Sequence, residues 1–193
     1  MTDTTLPARK RGRKAKLILA GTAALSVAAC KDDRIEATTF ASVDACLAEA
    51  SRSDAAPTPA ECEAAFAEAL AVHEESAPRY ASAELCEEEH GEGCYVEQRG
   101  NGTSVFLPLM AGYMIGNMLG GSGRAAQPLY RTGSGQYATA NRGFAVSGLN
   151  SSTRVQPSVF RAQPSTVTAA PMTRATVRST GGFGGRAGGS LGG

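Results

Sequence analysis

Residues 40–46, FASVDAC, recur 40 positions later as residues 80–86, YASAELC. Each copy supplies an aromatic residue, an Ala-Ser pair, an acidic residue and then a cysteine. Ser42 and Ser82 suit the N-cap position of a helix, and the acidic residue that follows complements the helix dipole. The repeat therefore predicts two short helices, each of which begins just before a cysteine.

One more cysteine follows each copy of the repeat, Cys62 after the first and Cys94 after the second. Four cysteines can pair in three ways, and the sequence alone leaves all three open. If the two repeat units are equivalent, the disulfides are Cys46–Cys62 and Cys86–Cys94. Each would close a loop that is worth about 2.5–3 kcal/mol in the chain-entropy treatment.

A third helix is predicted between the two repeats. Thr58-Pro59-Ala60-Glu61 has the pattern of a capping box with proline at the first helical position. The helix should run to about Ser76, with Phe66, Leu70 and His73 on the same face as Cys62. We therefore predict a small all-α module at residues 38–97, acidic and held together by two disulfides. Its apolar content is low, so the disulfides should decide whether it folds.

The N-terminus has the pattern of a bacterial export signal. A basic run, Arg9–Lys16, precedes a short apolar run, Leu17–Val27, and Ala28-Ala29-Cys30 follows. We predict a signal peptide at residues 1–29 and lipid attachment at Cys30, with a linker to residue 37. The alternative is an ordinary signal cut after Ala29, which would leave Cys30 as an odd thiol in an exported chain.

These features predict a protein of the bacterial cell envelope that is lipid-anchored and faces the periplasm. Lys31 follows the lipidated cysteine. By the general sorting rule of bacterial lipoproteins, a residue other than aspartate at this position favours the outer membrane.

Residues 104–121 contain the only long apolar run after Cys30, SVFLPLMAGYMIGNML. Gly112, Gly116 and Gly120 are spaced four residues apart, so a helix that begins near Pro108 would align them as a smooth groove. Such a groove lets two helices approach closely in a membrane. We predict an apolar helix that associates with the membrane or with a second copy. The alternative is a helix that packs on the disulfide-bonded module.

Charge is divided unevenly along the chain. Residues 31–97 contain 17 Asp and Glu against four Lys and Arg, whereas residues 98–193 contain nine Arg and no acid. Residues 122–193 are rich in Gly, Ser, Thr and Ala, so we predict a long disordered basic tail. Its arginines could contact the acidic module or an anionic envelope polymer, or the tail could be a solvated spacer. Export argues against nucleic acid as a partner.

Five stretches occur in order along the chain: Ala28-Ala29-Cys30, SAPRYAS at 76–82, GEGC at 91–94, LPLMAGYM at 107–114 and GGFG at 181–184. With the four later cysteines, they resemble the YgiB-like family of uncharacterised bacterial lipoproteins. The likeness covers most of the chain and is most specific through residues 76–121. It departs in the loop after Cys46 and along the tail. The resemblance implies a lipoprotein with a two-disulfide module, and it brings no catalytic residues.

No catalytic set is evident, so we predict a non-enzymatic protein without a cofactor. Its role would be structural, or it would bind an envelope partner. The alternative is a periplasmic metal-binding or enzyme-accessory protein that uses His73, His90 and the acidic run Glu87–Glu89. The chain has no Cys-x-x-Cys pair, so a zinc module is not indicated, and neither histidine neighbours an evident nucleophile in the sequence. We therefore assign no metal ligand.

Overall fold

The computed structural model describes residues 33–53, 56–117 and 124–182. The predicted signal peptide, Cys30 and Gly120 lie outside these ranges. The described residues form eight strands, four α-helices and a 3-10 turn at Pro157–Phe160. In chain order the strands and helices are β1 (Ile35–Phe40), α1 (Val43–Ala50), α2 (Pro59–Ser76), α3 (Ala83–His90), β2 (Cys94–Gln98), β3 (Ser104–Pro108), β4 (Gly112–Asn117), β5 (Arg124–Arg131), β6 (Tyr137–Ala138), β7 (Ala145–Val146), β8 (Ser151–Val155) and α4 (Arg174–Thr180).

The architecture is mixed α/β, so the prediction of a small all-α fold was wrong. Six strands form a curled antiparallel sheet in the order β7-β6-β5-β4-β1-β8. Strand β1 lies inside the sheet, where Thr38 pairs with Ile115 of β4 on one side and with Ser152 of β8 on the other. These partners are far away in sequence, and pairing at such separations leaves little local signal.

The apolar segment predicted as a helix forms strands β3 and β4 instead. Gly112 and Gly116 lie in β4, so they cannot line a groove between two helices. Their lack of a side chain serves close packing within the domain. A Cβ added at Gly112 would lie 2.5 Å from the carbonyl oxygen of Phe40, and one at Gly116 would lie 2.3 Å from ring carbons of Phe160.

The three predicted helices are present and begin where their caps predict. The side chains of Ser42 and Ser82 accept hydrogen bonds from the third backbone N–H of α1 and α3, and Thr58 forms a capping box with Glu61. Helix α2 buries small side chains, with Ala65 and Ala69 packed between the disulfide and the sheet. Leu70, predicted on the buried face, is largely exposed.

Two disulfides hold the helices in place. Cys46 of α1 is bonded to Cys62 of α2, and Cys86 of α3 is bonded to Cys94 of β2. These are the pairs that the internal repeat indicated. The first disulfide lies in the apolar cluster between α2 and the sheet, beside Phe40 and Tyr113. The second fixes α3 to the separate hairpin that β2 and β3 form.

The region predicted as a disordered tail is folded from residue 124 to residue 182. Strand β5 pairs with β4, and β8 adds an edge strand to the sheet. Val159 and Phe160 of the 3-10 turn cover the sheet face opposite to α2, together with Ile35 and Met114. The error arose because the apolar residues of this region, such as Leu129, Val155 and Phe160, are too widely spaced to form a local pattern, although they complete a core shared with other segments.

Helix α4 contacts the acidic module. Its Arg174 pairs with Glu88 of α3, with a distance of 2.5 Å between the guanidinium nitrogen and the carboxylate oxygen. Both side chains are about half exposed, so this pair adds little stability. None of the helices among the described residues combines the length and the apolar character needed to cross a bilayer.

Candidate functional site

The most unusual feature of the described residues is a buried network of tyrosines and histidines. His90, the last residue of α3, is 2% exposed. Its Nδ1 lies 2.7 Å from the carbonyl oxygen of Arg131, and its Nε2 lies 2.7 Å from the hydroxyl of Tyr80. Because a carbonyl can only accept, Nδ1 carries the proton and donates it. The hydroxyl of Tyr80 then donates to Nε2, so the imidazole is neutral.

The second histidine bridges two tyrosines. Nδ1 of His73 lies 3.0 Å from the hydroxyl of Tyr130, and Nε2 lies 3.1 Å from the hydroxyl of Tyr95. The ring of Tyr130 contacts both histidines, with centroid distances of 5.7 Å to His73 and 6.1 Å to His90. The two hydrogen-bonded groups therefore form one continuous cluster between α2, α3 and β5.

Burial shifts the titration of this cluster away from neutral pH. It lowers the pKa of His90 to about 4, against the opposing effect of the bond to Arg131. Burial, and then the charge of Arg79, lower the pKa of His73, while Glu74 and Glu97 oppose the shift. Burial raises the pKa of Tyr80 and of Tyr130. At neutral pH every member is uncharged, which is the form that tolerates low polarity.

A buried arginine lies next to the cluster. Arg79, with a side chain that is 3% exposed, forms a two-point contact with the carboxylate of Glu97, each N–O distance being 3.2 Å. Its guanidinium also donates to the carbonyl oxygen of Glu74 at 2.8 Å and to the hydroxyl of Thr166. The arginine thus ties the end of α2 and the hairpin to the irregular segment at residues 162–172.

That segment and α4 cover a cavity of about 280 Å³. Its walls are mainly apolar, with Tyr80 and Glu89 among the lining residues. The charged groups beside it are engaged with the protein, because Arg79 contacts Glu97, and Arg142 donates to the carbonyl oxygens of Thr180 and Gly181. An apolar cavity whose charged groups are engaged suits a small neutral ligand better than a charged one.

The arrangement does not offer a nucleophile and base in contact. Both ring nitrogens of each histidine are used in hydrogen bonds to tyrosines or to the backbone. General-base catalysis needs a nitrogen that can reach a substrate proton. A metal would likewise have to displace one of these bonds, and no group of three or more His, Cys, Asp or Glu side chains among the described residues is placed to hold one.

Sequence reasoning singled out the two histidines but not their partners. His73 and His90 come together around Tyr130, whereas Glu87 and Glu88 of the acidic run are exposed. The missed residues are Tyr80, Tyr95, Tyr130, Arg79 and Glu97. No local signal marked them, because Arg79 and Glu97 are 18 residues apart and Tyr130 is 57 residues from His73.

Comparison of the sequence with known protein families gives one match. The sequence matches the family described as "Protein of unknown function (DUF1190)" over residues 34–191. A UPF0441 protein of Serratia proteamaculans is 37% identical over 131 residues, which is 61% of this chain and 56% of that protein. UPF0441 proteins of Pectobacterium carotovorum and Klebsiella pneumoniae are 35% and 32% identical, over 61% and 64% of this chain and 56% and 61% of their own length.

The chain thus spans little more than half the length of these curated relatives. No solved structure matches it. The names of these relatives describe no activity, and they agree with the resemblance seen in the cysteine, SAPRYAS and LPLMAGYM motifs. Because the family match covers most of the chain, including every described residue except Asp33, the protein belongs to the DUF1190 family of proteins of unknown function.

Proposed function

We propose that this protein is a non-enzymatic component of the bacterial cell envelope. A lipid on Cys30 would hold it at a membrane, with the outer membrane favoured by Lys31. The folded domain would face the periplasm and serve a structural or binding role. The proposal combines the export pattern at residues 9–30 with the chemistry of the folded domain.

The two disulfides are the main observation that supports a location in the cell envelope. Two disulfides link four of the five cysteines within one domain. Structural disulfides persist in oxidising compartments and are rare in the cytosol. The fifth cysteine is Cys30, which follows Ala28-Ala29 at the end of the apolar run. Acylation of Cys30 would account for the one thiol that the domain does not pair.

The buried network supports a non-enzymatic role. His73 and His90 each use both ring nitrogens to join α2 and α3 to β5 and the β2–β3 hairpin. In this position they act as polar connectors of the core. A binding role could use exposed cations, since Arg161 and Arg178 lie on the surface. An anionic envelope polymer is the partner that such arginines favour.

The proposal is tested by labelling cells with an alkyne-bearing fatty acid. The wild-type chain should take up label, and the Cys30→Ala variant should lose it. A Cys46→Ser/Cys62→Ser variant is the matched control, because it removes two other cysteines and should keep the label. Equal label in wild-type and Cys30→Ala chains would reject lipid attachment at Cys30.

A further inference from the structure

The outer edge of strand β2 carries an unused row of backbone hydrogen-bonding groups. Phe106 of β3 exchanges backbone hydrogen bonds with Tyr80, at 3.0 Å and 2.8 Å. Its N–H and C=O therefore point away from β2. Because these groups alternate in direction along a strand, the neighbours Val105 and Leu107 are the ones that bond to β2.

The register then fixes the direction of each group in β2. Val105 pairs with Glu97, and Leu107 pairs with Tyr95. Residues Cys94, Val96 and Gln98 must therefore direct their N–H and C=O groups outward, away from β3. Two further bonds agree with this alternation, from Leu109 to Gly93 and from Arg99 to Thr103, at 2.8 Å and 2.9 Å. No other segment of the described chain pairs with this edge.

Apolar side chains are exposed along the same edge. Val96 is 52% exposed, Tyr95 is 37% exposed and Leu109, just past the strand that pairs with β2, is 57% exposed. Natural edge strands are normally protected by lysine, proline or a bulge. Strand β2 has none of these, and its one charge, Glu97, is turned toward Arg79. The edge strand β8 differs, because Ser151, Ser152 and Arg154 make it polar.

The geometry points to a second copy of this chain as the occupant of the edge, with the two β2 strands paired antiparallel about Val96. Val96 of each copy would face Val96 of the other, and the two would exchange both outward hydrogen bonds. Tyr95 would face Glu97 of the second copy, so no two acids are opposed. Arg99 would face Gly93 of the second copy, while its guanidinium stays bonded to the carbonyl oxygens of Thr166 and Ala169 of its own chain.

The dimer would be symmetric and modest in strength. A two-fold axis through Val96 uses the same patch on both copies, which is the commonest form of self-association. Five residues of edge bury less area than a standard stable interface. The disulfide between Cys86 and Cys94 holds the start of the strand in place before association. A pre-formed edge reduces the ordering that association requires.

A cysteine cross-link tests the pairing directly. In a hydrogen-bonded antiparallel pair the facing Cα atoms are about 5.5 Å apart, which is within the range of a disulfide. The full-length Val96→Cys variant, expressed in bacteria and alkylated in whole cells, should give a disulfide-linked homodimer. Ser152→Cys, on the edge strand β8, is the matched control and should remain a monomer. Linkage of Val96→Cys to a different protein, or no linkage, would overturn the proposal.

A second measurement keeps the test valid if the added cysteine disturbs the native disulfides. The wild-type full-length chain, purified in detergent, should pass from monomer to dimer as its concentration rises in sedimentation equilibrium. Val96→Pro removes only an outward N–H, which an edge strand tolerates. It should keep the wild-type circular dichroism spectrum and weaken association by about tenfold or more. A wild-type chain that stays monomeric, or equal association of the two proteins, would contradict the proposal.

Discussion

The hydroxyl of Tyr80 donates a hydrogen bond of 2.7 Å to Nε2 of His90, whose Nδ1 donates to the carbonyl oxygen of Arg131 and thereby fixes the neutral ring as its Nδ1–H tautomer. Tyr80 lies where the chain passes between helices α2 and α3, and its backbone also pairs with Phe106. One residue thus connects the hairpin, helix α3 and, through Arg131, the main sheet.

We expect Tyr80→Phe to destabilise the domain by about 1–3 kcal/mol, because it leaves a buried ring nitrogen of His90 without a donor. Urea unfolding, followed by circular dichroism, measures this difference. Phenylalanine lacks only the hydroxyl and fits at position 80 without strain, so the loss of stability would come from the missing hydrogen bond.

Tyr113→Phe is the matched control for Tyr80→Phe. Within the described part of the chain, the hydroxyl of Tyr113 is buried without a hydrogen-bond partner. The same substitution at this position should therefore leave stability unchanged or raise it by about 1 kcal/mol. Equal destabilisation by the two variants would contradict the role assigned to the Tyr80–His90 bond.

Stability should fall as the pH drops below about 6.5. The pKa of His90 is lowered to about 4 in the folded domain, so between the two values the unfolded chain binds a proton that the folded domain does not. The stability present above pH 6.5 is then lost as the pH falls toward 4, by about 3 kcal/mol in all.

Thermal unfolding from pH 7.5 down to 4 checks this pH dependence, with His90→Gln as the comparison. The variant has no ring to titrate, so its stability should fall less steeply over that interval. Carboxylates and His73 are the same in both proteins, so their effects cancel in the difference. Parallel profiles would show that His90 does not titrate as a buried neutral group.

Loss of the first disulfide should cost more than loss of the second. Cys46 and Cys62 are 16 residues apart, and Cys86 and Cys94 are 8 apart. Loop-closure entropy then gives about 3 kcal/mol for the first and about 2.5 kcal/mol for the second. Cys46→Ala/Cys62→Ala and Cys86→Ala/Cys94→Ala, compared by urea unfolding, measure the two costs. The reverse order would show that strain or native contacts outweigh loop length.

Gly116→Ala should destabilise the sheet because the new methyl group meets the ring of Phe160. The added Cβ would lie 2.3 Å from two ring carbons, so the ring must move from its buried position. We expect a loss of about 1–3 kcal/mol. Gly148→Ala is the control, since nothing lies within 4 Å of a Cβ there.

A double-mutant cycle attributes the effect of Gly116→Ala to the contact with Phe160. In a Phe160→Ala background the ring is absent, so Gly116→Ala should cost little. If its cost is unchanged in that background, the strand itself, and not the contact with the ring, requires glycine at this position.

Local signals predicted the helical part of the fold. The caps at Ser42, Thr58 and Ser82 and the stop at Pro78 depend on residues within a few positions, so they could be read directly. The buried face of α2 was predicted correctly at Cys62 and His73, but Ala65 and Ala69 were missed. Larger side chains such as Leu70 were assumed to be inside, whereas the helix uses Ala65 and Ala69 to approach the sheet closely.

The sheet could not be predicted in the same way. A spacing of four residues places Gly112 and Gly116 on one face of a helix, but also on one face of a strand, whose period is two. The apolar run therefore fits either structure, and a buried strand cannot be told from a buried helix by periodicity. Strands β1 and β8 are short, and each pairs only with segments that are distant in the sequence.

The partners of His73 and His90 were missed for the same reason. Tyr130 is 57 residues from His73 and 40 residues from His90, and it meets both only because β5 packs against α2. The sequence marks the histidines as unusual residues in an acidic module. Only the fold shows that three of their four ring nitrogens contact tyrosine hydroxyls and that the fourth contacts the carbonyl oxygen of Arg131.

The mass and redox state of the mature chain test the central proposal most directly. Intact mass spectrometry of the protein extracted from bacterial membranes should give a chain that begins at Cys30, carries acyl groups and has its other four cysteines oxidised in pairs. A soluble chain that retains residues 1–29 and has all five thiols reduced would contradict the account.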